Sequence, residues 1–234
     1  MKKTIHLDSL EGVPEKLLAQ LGKYDTLFEA HPSLEHLIAR EPGIGVIIGD
    51  INSYCETKYI KGYHYTRATP SEILQHGLLS RSGDEIRNTF LEHYGERFST
   101  EELLYMKEQW DIYFRGAHQR QARDYRVFFN TTTSALNNRD AELLLNYYGG
   151  EQVHRPLDGK EHLLGKLSLI GSPLMVSFSV RASEAQTYGP DDPWGMTAVS
   201  SYHRLINPEA HQVYIDGYVA NGIGPDDIIE VRSV

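Results

Sequence analysis

Residues 58–79 read KYIKGYHYTRATPSEILQHGLL and predict a strand, a tight connection and a short helix, in that order. The part from 58 to 67 is rich in tyrosine and isoleucine, which fit a pleated surface. Thr69-Pro70-Ser71-Glu72 then predicts a helix start, with the threonine as N-cap, the proline at the first position and the glutamate completing a capping box. Gly77 suits the C-terminal cap of this helix.

The residues on either side of this unit are predicted to be mainly helical. Pro14–Leu21 and Pro32–Arg40 each begin with proline and place leucines on one face, and Pro42-Gly43 is expected to close the second helix. After the unit, residues 81–126 look mostly helical and polar, with a capping box in Ser99-Thr100-Glu101-Glu102. We therefore expect a helical cap over residues 1–57, and a main domain over residues 58–234 with a helical insertion at about 82–115.

The later part of the chain alternates strands with irregular segments. Predicted strands are residues 126–130, 173–180, 212–215 and 228–231. A helix is predicted at residues 140–148, ended by Gly149-Gly150, and residues 182–208 are expected to be irregular. Because this order is not the regular alternation of a doubly wound sheet, the sequence predicts an α+β fold.

Composition excludes several classes of protein. The chain has 234 residues, of which 40% are hydrophobic, which is typical of a globular protein and too apolar for disorder throughout. A net charge of −9 argues against non-specific coating of long nucleic acid, although an enzyme that grips a short stretch remains compatible. Cys55 is the single cysteine, so no disulfide framework or thiolate zinc site is expected within one chain; a packed structural thiol is favoured over a catalytic one.

Neither a signal peptide nor a membrane span is expected, since Met1-Lys2-Lys3 is followed by polar residues and the apolar runs are short. We expect a cytoplasmic protein. The sequence lacks a Gly-x-Gly-x-x-Gly fingerprint, a Walker loop and a His-Glu-x-x-His motif, and its histidines show no metal-ligand spacing, so no metal is predicted.

One local cluster is basic. It comprises Arg115, His118, Arg120, Arg123 and Arg126. Such a cluster is either a solvated helical face or a platform for the phosphates of a cofactor or a nucleic acid.

The segment from Gly62 to Leu79 resembles the opening motif of the ADP-ribosyltransferase superfamily, in which a first strand carries His-aromatic-Thr and a short helix with Ile and Gly-Leu follows. The match is closest to the DNA-modifying transferase toxins of bacterial toxin–antitoxin systems. Residues 124–130 resemble the strand that follows the first helix of those toxins, and residues 212–228 resemble their terminal pattern of catalytic strand, loop and exit strand.

The resemblance implies a split, strongly bent, mainly antiparallel sheet that binds NAD between its halves and transfers ADP-ribose to a macromolecule. His64 would hydrogen-bond the nicotinamide ribose, and the backbone at Tyr65 would hold the carboxamide. Thr66 and Arg67 would lie beside the adenosine or phosphate portion. Two further groups are expected to bind the cofactor, namely Arg126 through phosphate and Tyr147 or Tyr148 by stacking on nicotinamide.

The catalytic acid is not settled by the sequence. The family usually has a glutamate on its late strand, and the best-aligned residue here is Gln212. Glu209 lies close by, and Glu151 follows two glycines that would allow a close approach to ligand or simply end a helix.

Several alternatives stay open. His64 could be an ordinary hydrogen-bonded strand histidine, and Tyr65 could pack in the core. The whole chain could be a catalytically inactive nucleotide- or partner-binding module, an RNA 2′-phosphotransferase that uses NAD, or an unrelated interaction protein. The resemblance also implies a toxin or phage-defence role and an antitoxin or immunity partner. The acceptor could be nucleic acid or protein, and the basic cluster from Arg115 to Arg126 slightly favours nucleic acid.

Overall fold

The computed structural model describes residues 2–137 and 139–234, with side chains described for all of these except 117, 137, 139 and 140, and it has the predicted α+β composition. The strands are β1 (Thr4–Ile5), β2 (Tyr59–Ala68), β3 (Val127–Asn130), β4 (Ser172–Arg181), β5 (Ala185–Tyr188), β6 (Asp216–Val219) and β7 (Ile228–Ser233). The α-helices are α1 (Glu15–Leu21), α2 (Asp25–Ala30), α3 (Leu34–Arg40), α4 (Pro42–Glu56), α5 (Pro70–His76), α6 (Gly83–Tyr94), α7 (Thr100–Tyr113), α8 (Ala117–Arg123), α9 (Arg139–Asn146), α10 (Gly150–His154), α11 (Glu161–Ser168) and α12 (Pro193–Ile206).

The strands form one open sheet in the order β5-β6-β3-β2-β4-β7. The short strand β1 pairs in parallel with the start of β2, where Thr4 lies opposite Tyr59. Strands β2 and β3 are antiparallel, with Tyr63 opposite Asn130. The strand that carries the motif therefore lies inside the sheet, between β3 and β4.

The chain divides into two compact units, each assembled from separate stretches. Unit 1 consists of residues 1–63, 128–135 and 177–218, and unit 2 consists of residues 64–127, 136–176 and 219–234. Strands β2, β3 and β4 contribute residues to both units. Whether residues 1–57 and 58–234 fold as a separate cap and domain stays a prediction.

Unit 1 has its core where α12 packs along α4. Buried side chains of α4 include Ile44, Ile48 and Ile51, and those of α12 include Trp194 and Val199. The two helices approach closely because residue 195 is glycine: a Cβ there would lie 2.0 Å from the backbone oxygen of Ile48.

Cys55 lies in the same buried face of α4 and is 0% exposed. Burial, together with the nearby Glu56 carboxylate, raises the pKa of the Cys55 thiol to about 12. The thiol is therefore protonated at neutral pH and is a poor nucleophile, so the prediction of a packed structural thiol is confirmed.

The glycine of the motif has a packing reason. A Cβ on Gly62 would lie 2.8 Å from Phe178 Cζ and 2.9 Å from Phe129 Cδ2. The two phenylalanine rings, on β4 and β3, meet edge to face with their centroids 5.7 Å apart. Gly62 therefore leaves room for an aromatic pair on one face of β2 in unit 1.

Unit 2 has its own apolar cluster, formed by helices α6, α7, α10 and α11 and their connections. Its buried members are Phe90, Phe98, Met106, Trp110, Phe114, Val153, Leu157, Leu163, Leu164, Leu167 and Ile170. The indole Nε1 of Trp110 donates to the backbone oxygen of Val153 at 2.9 Å, so the one polar atom of this large ring is satisfied.

Several predicted elements are confirmed. The strands expected at 58–67, 126–130, 173–180 and 228–231 correspond to β2, β3, β4 and β7. The mainly helical character of residues 81–126 is confirmed by α6, α7 and α8, and the Ser99 capping box forms with both of its hydrogen bonds.

Two helices depart from the predictions. Residues 182–208 were expected to be irregular, but Pro193 opens α12, whose apolar side chains face α4. Pro42-Gly43 was expected to end a helix, but Pro42 occupies the first turn of α4, where its missing N–H needs no partner.

Two smaller predictions are also wrong. Residues 212–215 are not a strand; the Val213 amide donates to Ser200 Oγ at 2.8 Å on α12, and the strand β6 begins at Asp216. Thr69 does precede α5 with extended backbone, but its side chain accepts no capping hydrogen bond, so the capping box with Glu72 does not form.

Candidate functional site

His64 and Tyr65 lie next to each other in β2 and project to opposite faces, because side chains alternate along a strand. The Tyr65 ring is 3% exposed, whereas His64 is half-buried. The ring of Tyr65 is therefore a core side chain, and the ligand contact expected at this position is one that the backbone would make. Thr66 follows on the same face as His64 and is half-buried.

The second half of the motif is tied to a distant stretch within unit 2. The Leu78 amide donates to the Ile223 oxygen at 2.9 Å, and the Ile223 amide donates to the Leu78 oxygen at 2.8 Å. Gly77 has φ of +75°, and a Cβ there would lie 1.9 Å from the Ile223 oxygen. Only glycine fits this position, on both conformation and space. The end of the opening motif thus meets the Gly222-Ile223 part of the terminal pattern.

Arg67 holds the end of β2 to two later segments of unit 2. Its Nε donates to the Ile170 oxygen at 2.8 Å, and its Nη1 donates to the Leu145 oxygen at 3.2 Å. Burial lowers the pKa of the Arg67 guanidinium, which still carries its charge at neutral pH. Two of the five N–H donors of this residue are therefore committed to the fold.

Tyr147 and Tyr148 follow α9 and pack against the apolar cluster of unit 2. The Tyr148 ring meets Tyr94 edge to face, with centroids 4.8 Å apart. Burial and the neighbouring Tyr94 raise the pKa of Tyr148. The negative charge of Glu72 raises this pKa further, and the positive charge of Arg81 lowers it. The helix of the motif thus lies within electrostatic reach of Tyr148.

Tyr147 instead contacts the ring of His154, with centroids 5.6 Å apart. Neither tyrosine ring stands fully exposed. Stacking on nicotinamide would therefore have to use the part of each ring that packing leaves accessible.

Glu151 is held by an arginine of the basic cluster. Arg123 Nε donates to its carboxylate at 2.8 Å. Glu151 also lines a cavity of about 30 Å³ together with Leu143, Leu144, His154 and Arg155. A cavity of this size admits about one water molecule, not a dinucleotide.

His154 is 3% exposed, and among the described residues its Nε2 has no hydrogen-bond partner. Burial lowers the pKa of His154 to about 4, so the ring is neutral at pH 7. His154 was not singled out from sequence, because its burial comes from the packing of α10 and has no local sequence signal.

Glu209 and Gln212 both belong to unit 1, outside any strand. Glu209 is exposed, and Gln212 Nε2 donates to Ser200 Oγ at 3.4 Å. The acid that does stand on the late strand is Asp216, the first residue of β6, whose carboxylate accepts a hydrogen bond from Asn130 Nδ2. Sequence reasoning missed Asp216 because the strand was placed four residues too early.

The basic cluster is largely engaged within unit 2. Arg120 lies 3.7 Å from the Asp84 carboxylate, Arg123 bonds Glu151, and Arg126 Nη1 donates to the Ala122 oxygen at 3.1 Å. Arg115 and His118 are exposed. Arg120, Arg123 and Arg126 are therefore held by contacts within unit 2, and the first two are partly neutralised by carboxylates.

The ten predicted site residues are thus distributed over both units. Unit 2 contains His64, Tyr65, Thr66, Arg67, Arg126, Tyr147, Tyr148 and Glu151, and unit 1 contains Glu209 and Gln212. In the described part of the chain, no group of three or more His, Cys, Asp or Glu side chains could hold a metal ion, and no helix is long and apolar enough to cross a bilayer. No protein-family model, curated protein or solved structure matches the chain.

Proposed function

We propose that this protein cleaves the bond between nicotinamide and ribose in NAD and transfers ADP-ribose to a macromolecular acceptor, with nucleic acid favoured over protein. In this proposal the sheet takes the split, bent form of an ADP-ribosyltransferase. A toxin or phage-defence role, and an antitoxin or immunity partner, belong to the same proposal.

One observation carries the proposal. Two of the three stretches on which the resemblance rests, at residues 62–79 and 212–228, are joined by the paired hydrogen bonds of Leu78 and Ile223 in unit 2. Gly77 is required there by both its φ and the nearby Ile223 oxygen. Leu78 and Ile223 are 145 residues apart in sequence, so their pairing supports the proposal that the two stretches belong to one site.

The chemistry explains why a half-buried histidine on a central strand suits this role. The bond from ribose C1′ to the nicotinamide nitrogen breaks, an acceptor oxygen or nitrogen forms a bond to C1′, and the proton of the acceptor passes to a base or to solvent. The transition state resembles an oxocarbenium ion, so the enzyme must hold the ribose rigidly. His64 is a hydrogen-bonding side chain mounted on a rigid element of the sheet.

A test uses purified protein, NAD labelled on its adenosine half, and cell extract. We expect label to enter nucleic acid with the parent protein and to be absent with His64→Ala. The matched control is His76→Ala, which makes the same exchange at an exposed residue of α5. Thermal unfolding of both variants verifies that they fold.

Digestion of the labelled product with nuclease or protease identifies the acceptor class. If the parent protein neither consumed nor bound NAD, the proposal would be contradicted. Equal loss of labelling in His64→Ala and His76→Ala would show that the effect is not specific to the strand histidine.

A second candidate is a module of the same fold that binds NAD without turnover. It is favoured by Gln212, which has an amide where the family has an acid and which is tied to Ser200 of α12. Calorimetric binding of NAD that depends on His64, without release of nicotinamide, would identify this alternative.

A further inference from the structure

Strand β7 leaves one edge of the sheet open. In the described part of the chain it is the last strand in the sheet order, and the strand beside it is β4. Helix α5 packs against β7, but four of the six residues of the strand are exposed. The outer edge of such a strand carries backbone N–H and C=O groups that no strand satisfies, so it is able to pair with a further strand.

One hydrogen bond shows which backbone groups of β7 face away from β4. The Val234 amide, just after β7, donates to the oxygen of Pro173, at the start of β4, at 3.2 Å. The two strands are therefore antiparallel, since the end of one meets the start of the other. Bonding alternates along an antiparallel strand, so the even-numbered residues of β7 bond to β4, and the odd-numbered ones, Val231 among them, point their backbone groups outwards.

The side chains on either side of Val231 carry opposite charges. Glu230 and Arg232 share one face of β7, because side chains alternate along a strand, and both are exposed. Among the described residues neither forms an ion pair, and Arg232 Nη2 lies 3.8 Å from the Met175 sulfur. Edge charges of a single sign would repel a second copy, whereas a Glu and an Arg spaced by two residues are complementary to themselves when the strand is reversed.

We propose that β7 pairs antiparallel with β7 of a second copy of this chain, about a two-fold axis at Val231. In this register the two Val231 residues exchange both backbone hydrogen bonds, and Glu230 of each copy lies opposite Arg232 of the other. Positions 230 and 232 form the closer, non-hydrogen-bonded kind of pair, so each carboxylate reaches a guanidinium. Ile229, which is 42% exposed, lies on the other face, diagonally across from Val231 of the second copy.

The opposite edge of the sheet lacks this feature. Strand β5 has four residues, Ala185–Tyr188, and none of them is charged. Two copies of β5 would therefore gain no complementary charges by pairing, and no side chain of β5 would select one register over another. The longer strand β7 specifies both the partner and the register, and this inference does not depend on the proposed transferase activity.

The test measures the dissociation constant of the dimer by sedimentation velocity at about 1–500 µM protein. We expect the parent protein to dimerise within this range, because pairing along one strand buries a small surface. Glu230→Arg and Arg232→Glu each place like charges opposite one another across the axis, and each should raise the dissociation constant by about tenfold or more. The matched control is Glu92→Arg, which makes the same change of charge at an exposed residue of α6 and should leave the constant unchanged.

Mixing the two weakened variants gives the sharpest result. Glu230→Arg has two arginines on the paired face and Arg232→Glu has two glutamates there, so a heterodimer would contain only complementary pairs. We expect the mixture to dimerise at least as tightly as the parent protein, although each variant alone is mainly monomeric. Urea unfolding of each variant verifies that it folds.

Three results would each overturn the inference. The first is a parent protein that stays monomeric over the whole concentration range. The second is a dimer that Glu230→Arg leaves intact, which would place the interface on another surface. The third is a mixture of folded variants that forms no heterodimer, because antiparallel pairing about Val231 requires one.

Discussion

Helices α7 and α12 are each 14 residues long, but the free amides of their first turns find their hydrogen-bond acceptors in different parts of the chain. In α7, Ser99 Oγ accepts from the Glu102 amide at 3.2 Å, and the Glu102 carboxylate accepts from the Ser99 amide at 2.7 Å. In α12 the adjoining Asp192 makes no side-chain cap, and Asn52 of α4 accepts from the Trp194 amide at 3.0 Å. The first turn of α7 is capped by residues of α7 and its own N-cap, whereas the first turn of α12 is capped by a side chain of α4 and only once the core of unit 1 has assembled.

The largest test of this difference is Gly195→Ala in α12. The added Cβ would lie 2.0 Å from the Ile48 oxygen, a backbone atom that cannot move aside without separating α4 from α12. We expect the free energy of unfolding to fall by about 3 kcal/mol, measured by urea denaturation.

Gly45→Ala in α4 is the matched control for this exchange. There the nearest atom to an added Cβ is Ile38 Cγ2 at 3.8 Å, an ordinary contact. This variant should be neutral or more stable by up to about 1 kcal/mol. Equal losses in the two variants would contradict the close approach of the helices.

The next test compares the cap of α12, provided by Asn52, with the cap of α7, provided by Ser99. Asn52 is 4% exposed, so Asn52→Ala leaves the Trp194 and Gly195 amides buried without their acceptor. The expected loss of stability is about 1–3 kcal/mol. Ser99→Ala removes a cap that water can partly replace and should cost about 1 kcal/mol. If Ser99→Ala lost more stability than Asn52→Ala, the cap that Asn52 provides to α12 would not be the more important of the two.

The smallest expected effect concerns the other end of α12. His203 Nε2 donates to the Phe28 and His31 oxygens, and burial lowers the pKa of this histidine. The unfolded chain therefore binds a proton more readily than the folded one, so this contribution is present above pH 6.5 and is lost as the pH falls.

The measurement is the difference in unfolding free energy between pH 7.5 and pH 5.5, for the parent and for His203→Gln. We expect His203 to contribute about 1 kcal/mol or less to that difference. His154 acts in the same direction in both proteins and cancels in the comparison. Identical pH dependence in the two proteins would show that folding does not lower the pKa of His203.

The same contrast explains which parts of the fold the sequence could predict. The Ser99 capping box, the strand β2 and the Gly77 helix end depend on neighbours in sequence, and all three were predicted. Helix α12 was missed because several residues on its buried side are polar. They are Thr197, Ser200, Ser201 and His203, and they hide the apolar period.

The candidate site shows the same limit. The position of His64 on a strand followed from local pattern, but the partners of Arg67 lie more than 75 residues away and have no sequence signature. Gln212 was assigned to a strand predicted at residues 212–215, but the amide of the next residue, Val213, donates to Ser200 of α12. Long-range contacts of this kind become visible only in the folded chain.

The thiol of Cys55 gives the chain an internal reporter. Cys55 is the only cysteine in the sequence, it is buried, and its raised pKa keeps the thiol protonated at neutral pH. A maleimide or disulfide reagent can therefore modify Cys55 only in molecules where α4 has separated from its neighbours. The modification rate of the unlabelled natural protein would therefore count opening events at that helix, with no engineered tag.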